Sequence, residues 1–413
     1  MSSGRGALFA MPTSSSGQPG PVAVWITASG WAAAARKMLG HAWVVTPEGV
    51  LTPEEARAVA TTPQLSPVSR ASWKRRVPRA AATMAKDAGR FLRARRFRET
   101  TRSGPWDGSD LTFVWQRHDL FHTAGFDVAR AKGCPVVLFV DAPTVWEESR
   151  WGVRRPGWGS LVERTGERPQ FRSADLVACV SEEVAEALVE RGAPEKRVLV
   201  TPCVADLDIF TPDAGGSDTR EELGLNGKFV VGWVGSFRSF HGIELALQAT
   251  ASLQSSIPDL CLLLVGDGQD RPRLEAMARE LGLRDVVFTG TVPYEKMPRY
   301  IAAMDLALVL DPGKGDFHYS PLKLREYMAC GRAVLAPRVG QVARFLDDGV
   351  DALLIDPGDA RALAQAIERI HREPELGAAL GAAARRKVAG EGAWDAQVQR
   401  AIESLNGGVR RSR

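Results

Sequence analysis

Short apolar runs, separated by stretches of helix length, recur along the chain in two successive series. The first reads as strands Val22–Ile26, Ala42–Thr46, Leu111–Trp115, Pro135–Val140, Leu176–Val180 and Val198–Thr201. The second reads as Phe229–Val234, Cys261–Val265, Val286–Thr289, Asp305–Leu310, Ala333–Ala336 and Ala352–Ile355. Runs that are apolar throughout, without alternation, suit parallel strands covered on both faces. Between them the period becomes helical. Leu274, Met277, Ala278 and Leu281 share one face of Asp270–Leu281, as do Leu363, Ala366, Ile367 and Ile370 in Asp359–Glu373. Ser181 is placed to cap a helix over Glu182–Arg191 that stops at Gly192. The pattern predicts an α/β chain of two doubly wound (Rossmann-like) domains facing across a cleft, the expected active site.

The boundaries follow from composition. Residues 1–20, rich in Ser, Gly and Pro, read as a disordered N-terminus. Residues 21–212 form the first α/β domain, 213–220 a polar linker, 221–393 the second domain, and 394–413 a closing helix (Trp394–Leu405) with a basic tail. At 413 residues and 45% hydrophobic content, the chain has material for two cores.

The net charge of +4 is small but unevenly placed. Between Arg70 and Arg102 stand 12 Lys/Arg against Asp87 and Glu99, which leaves 41 basic and 47 acidic residues elsewhere. Trp73, Val77, Met84, Phe91, Leu92 and Phe97 interleave with these cations. Such a segment (residues 70–102) could lie on an anionic membrane surface or grip a polyanion; an ordinary helix pair with a solvated outer face fits slightly better. Nucleic acid is not an expected partner, because no recognised binding module accompanies the charge. The five cysteines are odd in number and lack metal-ligand spacing, so no metal site is expected and reduced thiols fit best. No run approaches the roughly 20 apolar residues that span a bilayer, and no signal-peptide core opens the chain. These features predict a cytoplasmic protein, with membrane association left open by the basic segment.

The densest chemistry lies between Asp316 and Arg332. There Ser320 and Pro321 are placed to open a helix, Leu324, Tyr327 and Met328 share its apolar face, and Gly331 ends it. Its first-turn N–H groups, from Leu322 onward, can receive phosphate. Lys323 adds a cation and Glu326 a carboxylate suited to ribose hydroxyls, a combination that fits a nucleoside diphosphate. Gly235-Ser236 at one strand end and His241-Gly242 at the next helix start offer close backbone approach, with Arg238 and His241 as nearby cations. Gly266 and Gly268 repeat the design after the following strand, and Asp311-Pro312 ends the fourth.

In the first series, Ser29 and Gly30 fall in a small-residue loop read at a strand's C-terminal edge, where open α/β sheets bind ligands. Arg117, His118 and Asp119 lie beyond another strand on the same edge. His118 could act near neutral pH or hold an acceptor hydroxyl, with His122 competing from the same turn. Trp146–Trp158 reads as a Trp/Arg-rich loop able to contact an acceptor.

Gly235, His241-Gly242, the run Leu264 to Gly268 (LVGDG), Phe288 to Gly290 (FTG) and Ser320 to Ala329 (SPLKLREYMA) together resemble the family four retaining glycosyltransferases of the GT-B fold. The resemblance covers most of residues 175–395 and extends weakly to about residue 110. It implies a nucleotide-sugar donor on the C-terminal domain, a hydroxyl acceptor on the N-terminal one, and transfer with retention needing no obligatory metal or other cofactor. Glu326 matches the second glutamate of the family's pair, which holds the donor ribose. His318 stands where the first glutamate usually touches the donor sugar. Ser236 and His241 occupy the family's arginine and lysine positions for the diphosphate, and Arg238 offers a guanidinium two residues on. Cys203-Val204 replaces an Asn-Gly, while Asp206, Phe210 and Pro212 remain.

Arg238, Lys323, His241 and the N–H groups at Ser236 and Leu322 would then meet the leaving diphosphate. Histidines at positions 241 and 318 would make phosphate binding pH-sensitive. Two other classes stay open: a nucleotide-sugar epimerase of the same fold, and a non-catalytic nucleotide-sugar binder.

Overall fold

The computed structural model describes residues 4–15, 22–61, 78–315 and 317–408. Arg70, Trp73, Val77 and Asp316, named above, lie outside these. The chain divides into two compact units. One holds the described residues as far as Pro202 together with those from Trp394 onward; the other holds Cys203–Ala393.

The first unit is a seven-stranded sheet, β1 (Arg5–Ala10), β2 (His41–Thr46), β3 (Gly49–Leu51), β4 (Asp110–Arg117), β5 (Val136–Val140), β6 (Leu176–Cys179) and β7 (Val198–Val200). Its spatial order is 3-2-1-4-5-6-7, parallel except for the β2–β3 pair. The order reverses between β1 and β4, so the ligand-binding edge of this sheet lies at their C-terminal ends. The second unit has six strands, β8 (Phe229–Val234), β9 (Leu260–Val265), β10 (Val286–Phe288), β11 (Leu306–Leu308), β12 (Ala333–Pro337) and β13 (Leu353–Ile355). They are all parallel in the order 10-9-8-11-12-13, with the reversal between β8 and β11. Both sheets are the doubly wound type that the apolar runs predict.

Five corrections bear on the site. Within the stretch read as a disordered N-terminus, Arg5–Ala10 form a strand: Ala7 to Met11 are fully buried, and β1 lies between β2 and β4 in the interior of its sheet. Polar surroundings hid a six-residue strand that needs only its neighbours to be stable. Val22–Ile26 is not a strand but the start of the helix Val22–Leu39. A short apolar run cannot be told from a buried helix by periodicity, and this helix is buried almost all round. Ser29 and Gly30 therefore lie inside that helix, not in an edge loop. Ser29 Oγ donates to the Ile26 carbonyl, and a Cβ on Gly30 would come within 2.5 Å of the Trp394 indole.

Residues 213–220 are no free linker, because the helix Gly216–Glu222 packs on Ala302 and Arg220 pairs with Asp305 at 2.6 Å. Trp146–Trp158 is partly helical (Thr144–Arg150), with the Arg150 guanidinium over the Trp146 ring at 3.9 Å. The cores are aromatic-rich. Trp115 in the first unit touches Phe9, Trp31 and Phe139 at 5.1–6.2 Å between ring centroids.

Candidate active site

In the second unit the loops after β8, β9, β10 and β11 converge on one sheet edge. Gly235 follows β8 with φ of +146°, and Gly266 follows β9 with φ of +135°. A Cβ on Gly266 would stand 1.9 Å from the Gly235 carbonyl oxygen, so only glycine lets these two loops press backbone to backbone. The Gly235 N–H donates to the Val265 carbonyl at 2.9 Å, and the Gly266 N–H donates to Gly290 at 3.1 Å. Gly268 lies against the Phe237 backbone, and Gly242 against Asp311-Pro312 at the end of the fourth strand's loop. Ser236 and Arg238 are exposed on this edge.

The helix Leu322–Ala329 is fastened across it. The buried Val234 N–H donates to the Tyr327 hydroxyl at 2.8 Å, tying the helix to the last residue of β8. Ser320 is not the cap that the sequence suggests. The N-cap is Pro321, and Ser320 Oγ accepts instead from the Cys203 N–H at 3.1 Å. The N-cap residue makes no side-chain hydrogen bond to this helix, and within its first turn the Leu324 N–H donates to the Pro321 carbonyl at 3.0 Å.

Lys323 turns back over β8. Its Nζ lies 3.8 Å from the centroid of the Trp233 ring and beside Gly235. Burial pulls its ammonium down to about 7, partly offset by Glu326. Glu326 is 3% exposed and accepts from the Tyr294 hydroxyl at 2.8 Å. Burial pushes its carboxyl up to about 7, with Tyr294 and Lys323 opposing. Each group is thus poised between its charged and neutral forms.

His241 is not the cation expected. Burial, reinforced by Lys323 and Arg238, drives its imidazole down to about 2, so it stands neutral against the Trp233 and Phe240 rings. His318 is buried edge-on to Tyr319, which packs on Phe317 at 4.0 Å.

In the first unit, Arg117, His118 and Asp119 follow β4. Arg117 pairs with Asp141 at the end of β5 (2.7 Å) and reaches Thr13 Oγ1 after β1 (3.5 Å). Thr13 therefore occupies the edge position assigned to Ser29 and Gly30. His118 is buried, with Nε2 3.0 Å from Glu167 Oε1 and Nδ1 3.4 Å from Gln170 Oε1. Glu167 also accepts from the Thr144 and Val145 N–H groups, from the end of a single π turn over Glu163–Glu167. Burial would raise the Asp119 carboxyl, but Arg90, His122 and Arg117 outweigh it and hold it below the usual range. Burial lowers His122 to about 4.

Trp233, Tyr294, Tyr327 and Glu167 carry weight that sequence reasoning missed. Only Tyr327 lay within a recognised motif.

A pair of parallel-sheet units, one with a glycine-lined edge, a lysine and a carboxylate around a helix start, defines a GT-B-type protein. The chain belongs to the group 1 glycosyltransferases. Residues 228–373 match the family model "Glycosyl transferases group 1", and residues 31–209 match "Glycosyltransferase Family 4".

Among curated relatives, it is 29% identical over 257 residues to a GDP-mannose-dependent alpha-(1-6)-phosphatidylinositol monomannoside mannosyltransferase of Mycolicibacterium smegmatis. That alignment covers 61% of this chain and 67% of the relative. It is 33% identical to a D-inositol 3-phosphate glycosyltransferase of Thermomonospora curvata, over 59% of each chain. The chain thus spans about three fifths of the length of such relatives. Among solved structures, Anabaena HepE in complex with UDP superposes with a TM-score of 0.67 at 19% identity, covering 97% of this chain and 100% of that one. A sucrose-phosphate synthase from Thermosynechococcus elongatus superposes at 0.68 and 22% identity, covering 98% of both. These two likenesses concern the fold.

Proposed function

We propose that the protein transfers a sugar from a nucleotide-diphosphate sugar to a hydroxyl acceptor with retention of anomeric configuration, without a metal ion. The observation that carries this reading is the placement of Lys323 Nζ beside Gly235, with Glu326 one turn further along the same helix. A diphosphate at the β8 edge would lie against the backbone at Gly235 and Ser236, the amide of Leu322, Lys323 and Arg238. Glu326, already holding the Tyr294 hydroxyl, would take ribose hydroxyls. In the reaction the bond from the anomeric carbon to the phosphate oxygen breaks and a bond to the acceptor oxygen forms on the same face. The acceptor proton passes to the departing phosphate oxygen, whose growing charge Lys323 and Arg238 offset. No protein nucleophile is needed. His118, held by Glu167, and Arg117 with Asp119 are assigned to the acceptor side.

A thermal-shift screen of nucleoside diphosphates and nucleotide sugars, on wild type and Glu326→Ala, tests the site. A ligand at about 100 times its Kd adds roughly 2.7 kcal/mol of stability. A shift with one nucleotide series that is lost in Glu326→Ala is expected; no shift with any nucleotide would overturn the reading. Phosphatidylinositol monomannoside, inositol 3-phosphate and 2-deoxystreptamine, named in the descriptions of relatives, are the first acceptors to assay. Nucleoside diphosphate released only when acceptor is present separates a transferase from a binder or an epimerase. The anomeric coupling in the product's proton spectrum reports retention.

A further inference from the structure

The helix Arg79–Thr100 has two unlike sides. Its buried side is an ion cluster. Asp87 accepts from Arg155 Nε at 2.8 Å and from Trp158 Nε1 at 3.1 Å, while Arg90 pairs with Glu148 at 3.0 Å and with Asp119 at 3.4 Å. Lys86 and Arg155 also pair with Glu148. The cluster locks the helix in place and engages the nearby carboxylates on the inner side.

The outer side carries Ala81, Met84, Ala85, Ala88, Phe91 and Leu92, spaced by three and four residues so that they form one stripe. Met84 is 52% exposed and Leu92 57%, and Phe91 is 47% exposed although its ring meets Phe121 edge-on. Around the stripe, Arg79, Arg93, Arg95, Arg96 and Arg102 form no salt bridge among the described residues, and Glu99 is the one exposed acid of the helix. The adjoining residues 62–77 add Arg70, Lys74, Arg75 and Arg76 to the sequence, and no acid.

We propose that this outer face docks on the surface of an anionic lipid bilayer. Met84, Phe91 and Leu92 enter the interface while the arginines extend to headgroup phosphates. Three observations choose this occupant. A second copy would bring the same positive face against itself. A nucleic acid would meet the arginines but set the central aliphatic stripe against phosphate and water. The helix also lies flat on its unit, and among the described residues no helix is long and apolar enough to cross a membrane, so the contact is one of lying on the surface.

The test is co-sedimentation of the full chain with phosphatidylcholine vesicles made with and without phosphatidylglycerol. Three variants accompany wild type: Phe91→Ser/Leu92→Ser, Arg93→Gln/Arg95→Gln/Arg96→Gln, and Arg70→Gln/Lys74→Gln/Arg75→Gln/Arg76→Gln. All positions changed in the first two are exposed, and unaltered melting curves check that they fold. Binding is expected only to anionic vesicles. It should fall about fivefold for each arginine removed near the surface, and Phe91→Ser/Leu92→Ser should abolish the fraction that survives high salt. Equal binding to neutral vesicles, no binding to either, or binding indifferent to both helix variants would overturn the proposal. So would loss of binding in the third variant alone. A DNA duplex that binds more tightly than the anionic vesicles, and loses affinity only with the arginines, would assign the face to nucleic acid instead.

Discussion

Lys323 and Glu326 show how burial, more than charge pairing, sets the chemistry of single residues here. Both are pushed toward their neutral forms and both reach about 7. For Glu326 the folded protein holds a proton that the unfolded chain releases from about 4.5 upward. Its contribution to stability is therefore full at acidic pH and lost as pH rises from about 4.5 to 7. Glu326→Gln should flatten that part of the pH–stability curve, the whole excursion being roughly 3 kcal/mol; parallel curves for wild type and variant would contradict the burial argument.

Lys323 runs the other way with ligand. A diphosphate would draw a proton onto an amine that is about half neutral at pH 7, so donor affinity should fall as pH rises above about 7, by at most about tenfold per unit. Calorimetry in two buffers of different ionisation enthalpy should detect proton uptake at about pH 8 in wild type and none in Lys323→Met. His241, neutral down to about 2, cannot supply the pH response its sequence position suggests. The sequence shows that a cation, a carboxylate and glycines come together. It does not show that Trp233 and Tyr294 would line the same place and strip water from both charges.

Among elements, the helix Leu322–Ala329 does most to shape the edge, and one hydrogen bond registers it. In Tyr327→Phe the buried Val234 N–H loses its acceptor, which costs about 1–3 kcal/mol. The variant should melt lower and bind donor more weakly; an unchanged melting curve would mean that packing alone seats the helix. This tyrosine was legible only as an apolar-face residue, because its hydroxyl partner lies 93 positions away in the chain. The second unit's strands were legible almost to the residue, since parallel strands buried on both faces are continuous apolar runs bounded by turn glycines. The first unit was harder to read at its start. Its central strand β1 is short and lies in polar sequence, while the following helix is apolar enough to imitate a strand. That exchange moved the edge loop from Thr13 to Ser29 and Gly30.

At the scale of the whole molecule, the first unit is assembled from both ends of the chain. The helix Trp394–Gly408 returns to it after the entire second unit: Trp394 covers Gly30, Asp395 pairs with Lys37 at 2.6 Å, and Arg400 donates to the Val200 carbonyl at 3.1 Å. Local propensity cannot announce such a contact, and nothing in the pattern around Gly30 says that its missing side chain makes room for an indole. The first unit therefore lacks part of its cover until nearly all of the chain is present, whereas β8 to β13 and their helices come from one continuous segment. Trp394 is 7% exposed, so Trp394→Ala should cost about 3–5 kcal/mol in the unit that loses it. Hydrogen exchange should then quicken in the helix Val22–Leu39 and in β6 and β7, while amides of β8, β9 and β11 keep their protection. Equal loss in both units would show that they unfold as one body, and no loss in either would show that the helix contributes nothing to the first unit's stability.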